Sequence, residues 1–108
     1  GELLVIGGGS TKGSIEAAVD RARKRGIKVS SIHLRHISPL PPDLGSIFNR
    51  FEHYLVPELN NGQLVRILRD RFLLPFVPYN KIKGAPFRTN EIERAIDTVL
   101  SGAPAHSY

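Results

Sequence analysis

Residues 3–26 read LLVIGGGSTKGSIEAAVDRARKRG, and they contain one complete strand–loop–helix unit. The apolar run at residues 3–6 is continuous, as expected for a strand that is buried on both faces of a sheet. After a glycine-rich loop, apolar residues return at the spacing of one helix face: Ile15, Ala18, Val19 and Ala22. Gly26 stands where a glycine commonly follows the end of a helix. The segment therefore predicts a buried β-strand followed by an amphipathic helix.

The same order, an apolar run and then a helical stripe, recurs three times along the rest of the chain. The predicted strands cover residues 27–34, 54–56 and 76–79, and the second of these is expected to end at Pro57. The stripes that follow them are Leu44, Ile47, Phe48 and Phe51; Leu64, Ile67, Leu68 and Phe72; and Ile92, Ala95, Ile96 and Val99. Pro78 cannot donate to a ladder, so its strand is predicted at a sheet edge. Four such units predict an α/β domain of three layers, with a mainly parallel sheet between helices on both faces.

Two polar pairs mark the predicted starts of the last two helices. Asn60 is followed three residues later by Gln63, and Asn90 by Glu93. This spacing is that of a capping box, in which each side chain bonds a backbone amide of the other residue. Asn60 is therefore expected to cap the third helix.

Composition bounds the class of protein. The 108 residues are 41% apolar and 23% charged, which is ordinary for one globular domain with a core of its own. There is no cysteine, so a disulfide, a zinc–thiolate site, an iron–sulfur cluster and a cysteine nucleophile are excluded on this chain. No apolar run approaches the roughly 20 residues of a membrane span, and we expect a cytoplasmic protein without a membrane partner.

Methionine is absent, including at position 1, which favours a domain cut from a longer chain. We expect that domain to occupy residues 1–102 and a tail or linker to occupy residues 103–108. Basic residues exceed acidic ones by 15 to 10, a net charge of +5, but they are dispersed along the sequence. A modest, dispersed excess of this kind is typical of a solvated surface.

Three features could carry chemistry. The loop at residues 7–13 joins a strand to a helix, where backbone amides can bind phosphate. A Walker loop has a lysine directly after its second glycine, but here Gly13 is followed by Ser14. A dinucleotide fingerprint has a third glycine where this loop has Lys12. A tight, closely packed turn is therefore favoured over a nucleotide site. His33 and His36 fall on opposite faces of a strand, which argues against a shared metal.

Glu58 ends a buried strand, where α/β domains often keep functional groups, but it could equally organise the following turn and cap. No spacing identifies a catalytic residue or a metal site, and cofactor-binding residues stay unknown.

Four segments, taken together, resemble one family. They are GSTKG at residues 9–13, HLRHISPLP at 33–41, VPELNNGQL at 56–64 and YNKIKGAPF at 79–87. They are similar to the C-terminal domain of the alpha subunit of 2-oxoacid:ferredoxin oxidoreductases, most closely the 2-oxoglutarate enzymes. The resemblance covers about residues 3–100, with the segments in the family's order.

The resemblance implies a transketolase C-terminal-like fold. It also implies an enzyme that uses thiamine diphosphate and Mg²⁺, passes electrons through iron–sulfur clusters to ferredoxin, and converts 2-oxoglutarate and coenzyme A to succinyl-CoA and CO₂. In this family the thiamine site is built by other domains and by the beta subunit. This domain is therefore expected to carry no cofactor, to be inactive alone, and to serve assembly and site support, with the remaining alpha-subunit domains and the beta subunit as its partners.

Five positions match the family's strongest motif and are carried over as interface candidates without a catalytic role: Glu58, Asn60, Gly62, Gln63 and Leu64. Asn61 departs from the aliphatic residue common there. One alternative from another class stays open, a basic α/β nucleic-acid-binding module such as an anticodon-binding domain. The dispersed charge counts against it, and no specific nucleic acid is expected as a partner.

Overall fold

The computed structural model describes residues 2–8, 11–34, 42–59, 63–81 and 87–101. Strands and helices alternate through these residues in the predicted order. The elements are β1 (Leu3–Gly8), α1 (Lys12–Lys24), β2 (Val29–Leu34), α2 (Leu44–Phe48), β3 (His53–Leu59), α3 (Gln63–Arg71), β4 (Phe76–Lys81) and α4 (Thr89–Leu100). The predicted tail at 103–108 lies outside the described residues.

The four described strands form one parallel sheet in the order β2-β1-β3-β4. β1 and β3 are central, and their side chains Leu3, Val5 and Leu55 are fully buried. β4 lies at an edge, as Pro78 predicted. Among the described helices, none is long and apolar enough to cross a membrane.

The sheet separates two apolar cores, so the predicted three-layer arrangement is confirmed. On one face, α1 and α4 cover Leu3, Val5 and Leu55; we call this the α1/α4 layer. On the other face, α2 and α3 cover Leu4, Ile6 and Val56; we call this the α2/α3 layer. Successive residues of a strand point to opposite faces, which explains why neighbours in β1 belong to different cores. β2 follows the same rule, since Ile27 and Val29 join the first core and Ile32 and Leu34 the second.

β3 runs further than the sequence predicted. It continues through Pro57 to Leu59, paired along this stretch with β4. Among the described residues its pairing with β1 stops at Leu55. A proline has no amide to donate, and beyond Leu55 that loss breaks no ladder bond with β1.

Two helix boundaries also differ. α2 ends at Phe48, although Phe51 still packs against the α2/α3 core. α4 begins at Thr89, and the Glu91 carboxylate accepts the Arg88 backbone N–H at 2.8 Å. The box predicted at Asn90 and Glu93 is therefore wrong by two residues, and Glu93 pairs with Arg25 instead, at 3.0 Å.

Candidate functional site

The order of the strands reverses between β1 and β3, and the sheet opens there. β1 leads through α1 to β2 on one side, whereas the chain then returns to place β3 on the other side. Over the described residues β1 and β3 pair at Leu3–Val5 with His53–Leu55 and separate beyond them. β1 continues to Gly8 beside β2, and β3 continues to Leu59 beside β4. The carboxyl ends of β1 and β3 therefore flank a crevice of the kind in which open α/β sheets usually bind ligands.

Glu58 closes one wall of this crevice against α3. Its Oε2 accepts the Leu64 backbone N–H at 2.7 Å, and its Oε1 accepts the Val65 N–H at 3.4 Å. These are the second and third residues of α3, whose first turn has amides without partners inside the helix. The carboxylate also lies at the positive end of the helix dipole. Glu58 is therefore the described cap of α3, acting from the strand that precedes the helix.

This cap changes what the crevice can bind. A free helix N-terminus attracts phosphate or carboxylate groups. At α3 a carboxylate of the chain itself already accepts two of the amides that would do so. An anionic ligand at that helix end would have to displace Glu58. Glu58 is thus structural in the described contacts, which supports the interpretation that it organises the turn.

The other members of the motif fall in different places. Leu64 is 2% exposed and belongs to the α2/α3 core. A Cβ on Gly8 would lie 3.6 Å from its Cδ2, so Leu64 also lines the crevice floor beside β1. Gln63 is the first residue of α3. Asn60 and Gly62 lie outside the described residues, so the predicted cap by Asn60 stays a prediction.

The glycine-rich loop is closely packed where it leaves β1. A Cβ on Gly7 would overlap Ile15 Cδ1 and lie 3.0 Å from Thr11 Oγ1, so these two side chains of α1 and its first turn occupy the space that a side chain at position 7 would need. The Thr11 hydroxyl donates to the Gly8 carbonyl oxygen at 2.9 Å and is buried. Both contacts are those of a tight strand–helix turn, the interpretation favoured from the sequence.

His33 faces α1 from β2, beside this loop. Its Nδ1 is buried and has no hydrogen-bond partner among the described atoms. It borders a cavity of about 150 Å³ lined by Lys12, Ile15, Glu16, Ser31, Ile32 and His33. His36 lies outside the described residues. Within the described ranges no three His, Cys, Asp or Glu side chains come close enough to hold a metal ion.

Neither an iron–sulfur cluster nor a magnesium-bound diphosphate, both implied by the resemblance, fits the donor groups that the described residues offer. Iron–sulfur clusters need thiolates, and the chain has no cysteine. A diphosphate held by Mg²⁺ needs oxygen ligands and free amides, and the described part of the crevice offers a carboxylate already bonded to α3. The sequence predicts that Glu58 lies at this edge of the sheet, but only the folded chain shows its contact with α3.

Comparisons with known proteins agree on one family. The family model of pyruvate:ferredoxin oxidoreductase core domain II matches residues 1–70. The chain is 45% identical over 101 residues to the 2-oxoglutarate oxidoreductase subunit KorA of Mycobacterium tuberculosis, a match over 94% of the chain and 16% of that protein. It is 32% identical over 107 residues to the alpha subunit of 2-oxoacid:ferredoxin oxidoreductase 1 of Aeropyrum pernix, covering 94% of the chain and 17% of the relative.

A solved structure gives the same answer. The 2-oxoglutarate:ferredoxin oxidoreductase of Magnetococcus marinus, solved with 2-oxoglutarate, coenzyme A and succinyl-CoA bound, superposes with a TM-score of 0.82 at 28% identity, over 89% of this chain and 17% of that one. The chain thus spans about one-sixth of the relatives that it matches. The resemblance drawn from the four sequence segments is confirmed, and the nucleic-acid-binding alternative gains no support from these matches. The chain belongs to the family of pyruvate:ferredoxin oxidoreductase core domain II.

Proposed function

We propose that this chain is one domain of the alpha subunit of a thiamine-diphosphate-dependent 2-oxoglutarate:ferredoxin oxidoreductase. The enzyme would convert 2-oxoglutarate and coenzyme A to succinyl-CoA and CO₂, and the two electrons released would reduce two ferredoxins. The observation that carries the proposal is the 45% identity over 94% of this chain to a 2-oxoglutarate oxidoreductase subunit. The cytoplasm is the compartment we propose, since the reaction draws on coenzyme A.

The domain's own part in this enzyme is support and assembly. Thiamine diphosphate would supply the decarboxylation chemistry and iron–sulfur clusters the electron path, and both would be held by other domains or by the beta subunit. This chain would supply a sheet edge on which both helices are held in place. Glu58 joins α3 to β3, and the absence of a side chain at Gly7 lets α1 pack closely against β1. We take residues 1–102 as the domain and 103–108 as a tail or linker.

The activity is tested on the full-length alpha subunit purified with its beta subunit. We expect ferredoxin reduction that requires both 2-oxoglutarate and coenzyme A and that is faster with 2-oxoglutarate than with pyruvate. A folded complex with thiamine diphosphate bound that reduces ferredoxin with neither 2-oxoacid would contradict the proposal. Faster turnover of pyruvate would keep the family and overturn the substrate.

The motif at residues 58–64 contains the turn that we propose for assembly. Glycine at position 62 would let another backbone approach closely, because it has no Cβ. Gly62→Val is then expected to weaken retention of the beta subunit in a pull-down by more than it weakens the fold in a urea melt. Leu64 lies inside the core, so Leu64→Ala is the matched control that should lower stability more than retention. Full retention of the beta subunit by Gly62→Val would remove this turn from the interface.

A further inference from the structure

The turn between α3 and β4 holds an apolar side chain out into solvent. Leu73 is 97% exposed, and it is the exposed large apolar residue of the described part of the chain. Its neighbours Phe72 and Leu74 point inward and pack against the α2/α3 core. A single exposed leucine is common on protein surfaces and needs no explanation by itself. What distinguishes Leu73 is the way its turn is held.

Hydrogen bonds fix the turn on both sides of Leu73. The Phe72 N–H donates to Leu68 O at 2.8 Å, the Leu74 N–H to Phe72 O at 2.9 Å, and the Phe76 N–H to Leu74 O at 2.9 Å. Arg69 Nη2 donates to the Phe76 carbonyl oxygen at 2.8 Å and braces the far side. The backbone that carries Leu73 is therefore already ordered, so a partner that binds the leucine pays little of the usual cost of ordering a loop.

The end of α3, directly before this turn, carries a net positive charge. The exposed side chains on the last turns of α3 are Arg66, Arg69, Asp70 and Arg71, three cations and one anion. A partner surface that complements them has an apolar pocket with carboxylates on its rim.

The magnitudes decide whether that partner is a separate molecule. Burying one leucine favours a contact by about 10- to 100-fold. Each exposed ion pair at the rim adds at most about fivefold. Affinity in the millimolar range already needs about 1,000-fold. Even before the cost of association is subtracted, Leu73 and the neighbouring charges reach only about a millimolar contact, which is too weak to recruit a dilute protein. A domain tethered in the same chain avoids most of that cost, because its effective concentration is itself about millimolar.

We infer that Leu73, which follows the basic last turn of α3, is the anchor through which this domain docks into an apolar, acid-rimmed pocket on another domain of the same polypeptide. The relatives that the chain matches are about six times its length, which leaves most of the subunit to supply the pocket. The inference rests on the proposed function only in requiring that the chain is one domain of a longer subunit.

The first test is cysteine labelling in the intact alpha–beta complex. The 108 residues contain no cysteine, so in a Leu73→Cys subunit the maleimide-labelled peptide from this domain reports residue 73 alone. Labelling is followed by mass spectrometry in the native complex and in guanidinium. We expect native labelling to be at least tenfold slower than in guanidinium, because the pocket covers the thiol. Smaller protection overturns the inference, and protection that is lost when the alpha subunit is labelled without its beta subunit overturns it by placing the pocket on a separate molecule.

The second test probes the rim and the side chain. In the Leu73→Cys subunit, Arg71→Glu should speed native labelling at least threefold, whereas Lys24→Glu, on α1 across the sheet, should leave the rate unchanged. Equal rates in the two variants overturn the acid-rimmed pocket. Separately, Leu73→Ser should make the domain junction more sensitive to limited proteolysis, whereas Leu73→Met should not. If both variants are cleaved at the wild-type rate, the inference that Leu73 anchors the domain is overturned.

Neither readout needs catalysis. A complex without 2-oxoacid-dependent ferredoxin reduction that still protects residue 73 would contradict the proposed function alone. An active complex in which residue 73 labels freely would contradict the docking inference alone.

Discussion

At the scale of single residues, two positions hold helices against the ends of the central strands: the carboxylate of Glu58 and the glycine at position 7. Glu58 reaches α3 from β3 and satisfies two amides that the helix cannot bond itself. Gly7 leaves room for Ile15 and Thr11 to close over β1. Both residues could be mistaken for parts of a ligand site because of where they stand in the sequence, and both are engaged in holding a helix to a strand.

Removing the Glu58 carboxylate should destabilise the fold. Loss of a side-chain cap costs about 0.5–2 kcal/mol, so Glu58→Ala should lower the free energy of unfolding by about that amount. Glu58→Gln keeps an oxygen that accepts an amide but loses the charge at the helix dipole, so its loss should be smaller. Urea melts of the chain with each substitution measure the difference. An alanine variant as stable as wild type would show that the contact with Leu64 is not a cap in solution.

Gly7 and Gly13 give a matched pair for the packing of α1. An alanine at position 7 would overlap Ile15 Cδ1, which is buried and can move only if the core repacks, and overpacking of this kind costs about 1–3 kcal/mol. An alanine at position 13 meets nothing within 4 Å and replaces a glycine inside α1, so it should stabilise by up to about 1 kcal/mol. Urea melts should move the two midpoints in opposite directions. Equal stability of the two variants would contradict the close approach of α1 to β1.

At the scale of whole elements, two kinds of contact join α1 to α4. On the surface Arg25 pairs with Glu93 at 3.0 Å and with Asp97 at 3.1 Å, and the hydrogen bond that the Arg25 guanidinium donates to the Asp97 carboxylate raises the pKa of that guanidinium. Beneath them Ile92 and Ile96 are fully buried against the sheet. Exposed ion pairs contribute about 0–1 kcal/mol, whereas a buried isoleucine contributes several times more, so packing should dominate.

This ranking predicts different responses to mutation and to salt. Ile96→Ala should lower the free energy of unfolding by about 2–5 kcal/mol at any ionic strength. Glu93→Gln should lower it by less than about 1 kcal/mol, and the loss should fade in about 1 M salt, where surface charges are screened. Chemical denaturation with urea at low and high NaCl concentration measures both. A larger loss for Glu93→Gln than for Ile96→Ala would reverse the ranking.

Tyr54 ties β3 to the end of α2, and it should make stability depend on alkaline pH. Its hydroxyl donates to the carbonyl oxygens of Phe48 and Phe51, and burial raises the pKa of that hydroxyl above 10.0. The unfolded chain then ionises Tyr54 first, so the contribution of Tyr54 is complete below about pH 10 and falls as pH rises toward the folded pKa. Tyr54→Phe should be less stable than wild type at pH 8, because it removes the one hydroxyl proton that the two carbonyl oxygens share.

The pH dependence is measured by comparing the stability of wild type with that of Tyr54→Phe. Urea melts between pH 8 and pH 11 should show the gap between wild type and Tyr54→Phe narrowing above pH 10, since only wild type loses the Tyr54 contribution. A gap that stays constant across this range would mean that the hydroxyl titrates alike in the folded and unfolded chains.

At the scale of the whole molecule, the chain has one layered architecture and a dispersed net positive charge. The sheet order, the two cores and the match to a solved oxidoreductase describe one architecture. The net charge of +5 is spread over both layers, from Lys24 on α1 to Arg71 on α3. A surface of this kind neutralises few phosphates at a time.

Nucleic-acid binding by this chain should therefore be weak and sensitive to salt. Because few phosphates are contacted together, the slope of log affinity against log salt concentration should be shallow, and the affinity at about 150 mM salt should be no tighter than micromolar. A gel-shift titration against single- and double-stranded oligonucleotides measures it. Nanomolar affinity that persists at this salt concentration would instead favour the nucleic-acid-binding alternative.

Patterns within single segments of the sequence predict the strands and helices of this protein and the side of the sheet that their residues face. The continuous apolar run of β1 and the helical stripes of α1 and α4 are periodic patterns read within one segment, and the periods of strand and helix fix which side of the sheet each residue joins. The motifs on the same chain were enough to name the family. Only the tertiary structure decided that β3 passes through Pro57 beside β4, that α4 begins at Thr89, that Glu58 caps α3, and that Leu73 stays outside while Phe72 and Leu74 turn inward. Each of these depends on which strand or helix lies next to a residue in space, and the chain folds back to place those neighbours, so no pattern within one segment records them.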